Sequence, residues 1–153
     1  MSLFLPVRRA TLLIPSGPVG SDSNKKHLFI LLTDPTPVSG PLYDNTGVVL
    51  QKGASEKQIL MVSISTLKPQ FPHDPTCLLY QGDHPFIKHD SYVKYSKARI
   101  EGAEGIMRGI KNGVLIQHDP VDTAIFARIC HGLTQSRFTT PKVLAFYEAA
   151  TKP

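Results

Sequence analysis

Gln58-Ile-Leu-Met-Val-Ser-Ile-Ser-Thr-Leu67 is the stretch on which the fold turns. Its apolar and β-branched residues sit among small hydroxyl residues, the composition of a strand with one buried face. A loop dense in Pro, His and Asp follows, and then Asp90-Ser-Tyr-Val-Lys-Tyr-Ser-Lys-Ala-Arg-Ile100. A strand's period of two puts Tyr92, Lys94, Ser96 and Ala98 on one side of that run. Ser91, Val93, Tyr95 and Lys97 take the other side, so it reads as a strand beside a surface that contacts something. Between the two runs lie His73, His84 and His89, next to Asp74, Asp83 and Asp90. Chemistry or anion binding is expected there.

Working outward, residues Val7 to Ile14 read as a first strand, stopped by Pro15-Ser-Gly-Pro18. Gly17 to Lys26 is a flexible polar loop. His27-Leu-Phe-Ile-Leu-Leu-Thr33 is a short continuous apolar run between breakers, which fits a central strand buried on both faces. Asp34 to Pro41 makes a second loop, and Gly47-Val-Val-Leu50 is expected to pair with the strand at Ile59 to Ile64 as a hairpin-like unit.

After Ile100 the pattern becomes helical. Ala103, Ile106, Met107 and Ile110 share helical spacing in Glu101 to Gly113, although interior glycines cost about 1 kcal/mol each relative to Ala. Asp119-Pro-Val-Asp122 signals a helix start ahead of Thr123 to Leu133. Pro141 opens a last helix, with Thr139 or Thr140 as its N-cap. Strands first and helices after imply one α+β domain: a small antiparallel sheet or barrel over residues 5–100, covered by helices at one end, with a helical C-terminal part.

The composition is that of a globular chain long enough to bury an ordinary core, at 153 residues with 41% hydrophobic and 19% charged. A net charge of +5 attracts polyanions without any single Lys/Arg tract to explain it. Cys77 and Cys130 match no zinc spacing and no disulfide framework, and read as small buried hydrophobes in a reducing compartment. No signal-peptide pattern and no apolar run near the ~20 residues of a membrane span is present. The expected location is the cytoplasm.

His-Asp occurs at 73–74, 89–90 and 118–119. A metal-dependent phosphohydrolase of that type needs its ligands on neighbouring helices. These pairs fall in loops and at element ends instead, so no metal and no cofactor is expected. There is no Gly-x-Ser-x-Gly elbow and no phosphate-cradling glycine loop. What remains is metal-free phosphodiester chemistry, in which RNA is cut by its own 2′-hydroxyl and the protein supplies a base, an acid and a cation. Lys26 and His27 at the edge of the central strand, Ser65 and Thr66 at the end of the next, and His84 in the loop are the candidate catalytic residues. Lys25, Lys68, Lys88, His89 and Lys94 are the candidate nucleic-acid contacts. Each has a plainer reading, as a solvated loop charge, a strand end or a turn histidine.

A first strand, a Gly/Ser-rich loop and basic residues leading into an apolar strand resemble the PemK/MazF toxin family. Leu60-Met-Val-Ser-Ile-Ser-Thr66 is similar to the family strand that ends in an active-site hydroxyl, and Lys88-His-Asp-Ser-Tyr-Val93 to a later polar turn leading into a strand. The resemblance covers about residues 5–100. It implies an SH3-like barrel with helical additions, metal-independent cleavage of single-stranded RNA, a homodimer and a silencing antitoxin protein. It also implies that Lys26 or His27 serves the phosphate or the proton transfer, and Ser65 or Thr66 hydrogen-bonds the phosphate. Where the family has Arg-Pro, this chain has Lys26-His27, and lysine brings charge without the planar fork of arginine. Either His27 takes over as acid or base, or the chain is a catalytically inactive SH3-like module that binds nucleic acid or a protein partner.

Overall fold

The computed structural model describes residues 6–15, 26–37, 42–43, 49–51 and 57–152. Its main sheet is antiparallel and has seven strands. They are β1 (Thr11–Pro15), β2 (Lys26–Leu31), β3 (Thr36–Pro37), β6 (Lys57–Thr66), β7 (Leu78–Leu79), β8 (Ser91–Gly102) and β9 (Ile116–His118). The order across the sheet is β7-β8-β6-β2-β1-β9, with β3 against the start of β6. A separate ribbon pairs β4 (Leu42–Tyr43) with β5 (Val49–Gln51). The helices are α1 (Ala103–Lys111), α2 (Thr123–Gln135) and α3 (Pro141–Thr151). The architecture is mixed α+β, a curled antiparallel sheet with three helices among the described residues.

Two apolar layers explain the unbroken apolar runs of β2 and β6. Leu28 and Ile30 of β2 join Leu60, Val62 and Ile64 of β6 under Ile125, Ile129 and Leu133 of α2 and Val143 of α3. Their neighbours Phe29, Leu31, Ile59 and Met61 face the other way, against Leu12 and Ile106 of α1. A strand covered on both faces has no polar alternation. That was expected of β2; β6 differs from its one-faced reading because α1 covers the second face as far as Met61.

Besides the stretch from Asp34 to Pro41, expected as a loop but holding the short strand β3, three sequence expectations need correction. Val49 to Gln51 pairs with β4 and not with Ile59 to Ile64. The first strand starts later than Val7, because the chain turns at Arg8 and Arg9, and Arg9 has φ 77°. That left-handed conformation costs a non-glycine residue about 1 kcal/mol. It is held by the Arg9 N–H donating to the Leu31 carbonyl (2.9 Å) and the Arg9 carbonyl accepting from Val121 N–H (3.1 Å). The third correction is that strands do not end before the helices begin. β9 follows α1 and completes the sheet beside β1, with Thr11 opposite His118.

The helix starts agree with their capping chemistry. Asp122 accepts from the Ile125 N–H at the start of α2, and Thr140 accepts from Val143 N–H with Pro141 in the first turn of α3. Among the α1 glycines, Gly109 is needed for contact: an added Cβ would lie 2.7 Å from the Leu115 side chain.

β8 carries the sharpest irregularity. Met61 faces Arg99 and Ser63 faces Lys94, so the single residue Val62 spans the gap against residues 95–98 of β8. Such a bulge bends the strand and increases local twist. Tyr95 lies in the bulge, fully buried, and its hydroxyl donates to the Ile129 carbonyl of α2 at 2.7 Å. Gly132 leaves the room for that ring, since a Cβ there would land on the Tyr95 hydroxyl. Among the described residues no helix is long and apolar enough to cross a membrane.

Candidate functional site

The α1 layer covers only half of its sheet face. On β6 that face reads Ile59, Met61, Ser63, Ser65, apolar under the helix and hydroxylic beyond it. The β6–β8 register sets Lys94 beside Ser63 and Tyr92 beside Ser65. On the other flank, β2 sets Phe29 opposite Ser63. His27, two residues before Phe29 on β2, and Ser65, two after Ser63 on β6, line one pocket with Tyr92, a row of side chains drawn from three strands.

This row forms the floor of a pocket of about 460 Å³. Lys26 and Thr66 join it from the adjoining strand ends, and Lys68, Phe71, Pro72 and His73 wall it from the loop after β6. Phe86 closes another side. The structure therefore brings together Lys26, His27, Ser65, Thr66 and Lys68. Lys26, His27, Lys68 and His73 are all solvent-exposed. No carboxylate lines the pocket among the described residues, so its cationic character is uncompensated at short range. The His73 ring packs on Tyr92 with centroids 5.4 Å apart.

A second hollow of about 620 Å³ adjoins the first and shares Pro72, His73 and Tyr92 with it. Its lining includes Lys94 and Ser96 from β8, and Gln135, Arg137 and Phe138 from the α2–α3 turn. Asp74 ties that turn to the loop. One carboxylate oxygen accepts from the Thr76 N–H (2.9 Å) and hydroxyl, and the other from the Ser136 hydroxyl (2.6 Å). Burial opposes ionisation of Asp74, but the Ser136 and Thr76 donors and the Arg137 charge outweigh it and lower its pKa below the ordinary carboxylate value.

The remaining candidates lie elsewhere. Lys25 is outside the described residues. Lys88 and His89 are exposed in the loop before β8 and do not line either hollow. His84 is buried at 3% exposure, behind the pocket wall. Its Nε2–H donates to the Asp119 carbonyl at 2.5 Å, and its Nδ1 accepts from the Phe86 N–H at 3.0 Å. A carbonyl only accepts and an amide N–H only donates, so the ring is the neutral Nε2–H tautomer. Desolvation pushes its pKa down, more than the Asp119 carbonyl raises it. Because Asp119 follows β9, His84 fastens the loop after β7 to the opposite edge of the sheet and holds Phe86 in the wall. Its position is that of a structural support.

Among the described residues no group of three or more His, Cys, Asp or Glu is arranged to hold a metal ion. Cys77 is buried and Cys130 half-buried, both free thiols, with burial pushing each thiol's pKa up. Sequence reasoning gave no role to Phe71, Arg137 or Phe138, and it placed His73 in the loop where chemistry was expected and Tyr92 on a contacting strand without assigning either a function. The alternation of β8 held a usable signal for Tyr92, since it set Tyr92, Lys94 and Ser96 on one side, and the structure leaves that side outward while Val93 and Tyr95 are buried. Comparison with protein-family models, with curated proteins and with solved structures finds no match to this chain.

Proposed function

We propose that the chain is a metal-independent endoribonuclease of PemK/MazF-like toxin type, cutting single-stranded RNA in the pocket floored by His27, Ser65 and Tyr92. The observation that carries this reading is the meeting of Lys26, His27, Ser65, Thr66 and Lys68 with His73 in one hollow that, among the described residues, no carboxylate lines. Two imidazoles provide the pair that RNA self-cleavage needs. One takes the proton of the 2′-hydroxyl as its oxygen attacks phosphorus. The other protonates the departing 5′-oxygen, leaving a 2′,3′-cyclic phosphate. Lys26 and Lys68 neutralise the extra charge on the phosphorane, and the Ser65 and Thr66 hydroxyls donate to its oxygens. A lining that, among the described residues, holds the Lys26 and Lys68 ammonium groups and no carboxylate repels a divalent cation, which suits chemistry without one. Tyr92 and Phe71 offer faces on which bases stack. An SH3-like barrel closed around the sheet, helices gathered at one end, a cytoplasmic location, a homodimer and an antitoxin belong to the same proposal.

The test is incubation of the full chain with single-stranded RNA in EDTA. Cleavage leaving cyclic phosphate ends, lost in His27→Ala, is the expected result. No cleavage, or cleavage that chelation abolishes, refutes the enzyme reading. A second reading is favoured by Lys26-His27 standing where the toxin family has Arg-Pro: an inactive module that holds nucleic acid. It predicts salt-dependent RNA binding without turnover.

A further inference from the structure

We infer that the second hollow is a subsite for nucleotides flanking the cut in the same single-stranded RNA, with Phe138 as the stacking platform and Arg137 and Lys94 as phosphate contacts. This rests on the reading of the first pocket as an RNA site. The two hollows share His73 and Tyr92 as a common wall, so a strand leaving one passes directly over that pair into the other.

Phe138 stands 41% exposed at the turn between α2 and α3. The Arg137 guanidinium lies 4.8 Å from the centre of that ring. A ring exposed to solvent beside a cation is the arrangement on which successive bases stack, and it tolerates any sequence because every base has a π-face. Neither Arg137 nor Lys94 is in an ion pair among the described residues. Asp74, the one carboxylate in the hollow among the described residues, feels the Arg137 charge but has its oxygens hydrogen-bonded to Ser136 and Thr76, and no ion pair ties the guanidinium to it, which leaves the arginine N–H groups for a ligand.

The turn is also held in place. The Ser136 hydroxyl donates to Asp74 and accepts from the Phe138 N–H at 3.1 Å. Asp74 and Ser136 are each only 8% exposed, so the chain that presents Arg137 and Phe138 is anchored from beneath. A stacking platform fixed before binding loses little entropy when a base settles on it.

The test uses the full chain and fluorescein-labelled uridine oligomers with uncleavable 2′-fluoro sugars, of about four and about twelve nucleotides. Anisotropy is followed over a salt series in EDTA. Phe138→Ala should weaken the longer oligomer roughly tenfold, as loss of one stacked base does, and leave the shorter one unchanged. Phe138→Leu keeps the apolar bulk without the π-face and should lose nearly as much. Arg137→Gln should lower the slope of log affinity against log salt by about 0.7 for the longer oligomer alone. Wild-type binding of both oligomers with no loss in any variant overturns the subsite and leaves the first pocket's reading standing. Failure of the wild-type chain to bind either oligomer at low salt overturns both.

Discussion

Gly132→Ala puts a methyl group where the Tyr95 ring passes. The new Cβ would land on the Tyr95 hydroxyl and lie 2.9 Å from Cζ and 3.2 Å from Cε2. Tyr95 cannot retreat easily, being 1% exposed and hydrogen-bonded to Ile129 of the same helix. Forcing a methyl into such a site costs about 1–3 kcal/mol. Displacing the hydroxyl from its carbonyl adds about 1 kcal/mol. Replacing glycine by alanine inside a helix returns about 1 kcal/mol. The net loss is therefore about 1–3 kcal/mol, or a fall in Tm of about 3–10 °C for a chain of this size. Thermal unfolding followed by circular dichroism measures it. Tyr95→Phe removes the atom that collides, so Gly132→Ala in that background should cost about 1 kcal/mol less. Equal cost in the two backgrounds, or a Gly132→Ala chain as stable as wild type, would refute the packing argument. Because Tyr95 lies between Lys94 and Ser96, the same substitution should also weaken oligonucleotide binding.

His27→Ala and His73→Ala should each slow RNA cleavage by about 10²–10⁴-fold, and initial rates on a labelled RNA in EDTA would measure it. A substrate carrying a single 2′-deoxy sugar at the cleaved position should bind with little change and remain uncut, which gel analysis of the products would show. His84 has a folded pKa depressed below 6.5, so its contribution to stability is present above 6.5 and declines as pH falls through the lower folded value, where the unfolded chain takes up the proton first. Urea unfolding of wild type and His84→Ala across that window should show the slope only in wild type, with the variant about 2 kcal/mol less stable near neutrality from its two lost hydrogen bonds. Asp74 is likewise depressed, below 3.8, so the stability it provides is complete above that value and fades as acid passes the folded pKa. Asp74→Asn should flatten that acid limb in the same experiment.

The parts of the fold legible in the sequence are those with a sustained period. β8 alternates over its first five residues, and the buried set Ser91, Val93 and Tyr95 follows from that pattern. β2 shows an unbroken apolar run, and both of its faces are covered. β9 is three residues long, too short for a period to register, and only its pairing with β1 more than a hundred residues away identifies it. The β8 bulge likewise leaves no trace in composition, because it is a mismatch between two strands. Within the site, residue type and segment order pointed to Lys26, His27, Ser65 and Thr66, which sit at adjacent strand ends. Arg137 and Phe138 were invisible because a tertiary hydrogen bond, Ser136 to Asp74 across 62 residues, delivers them. A histidine in a loop of Pro and Asp reads the same whether it transfers protons or fastens two segments. For His84 the partner is a main-chain carbonyl 35 residues further on, which no side-chain pattern records.

The placement of β1 between β2 and β9 bears on how the chain is made. During synthesis β1 emerges first and pairs with β2, but its outer edge waits until residues 116–118 have left the ribosome. A nascent or truncated chain ending near Ile100 would carry an uncovered row of N–H and C=O groups, the template on which strands from separate molecules add to one another. Separating the strand-rich portion from its helical continuation should accordingly yield aggregates in place of an independently folding module.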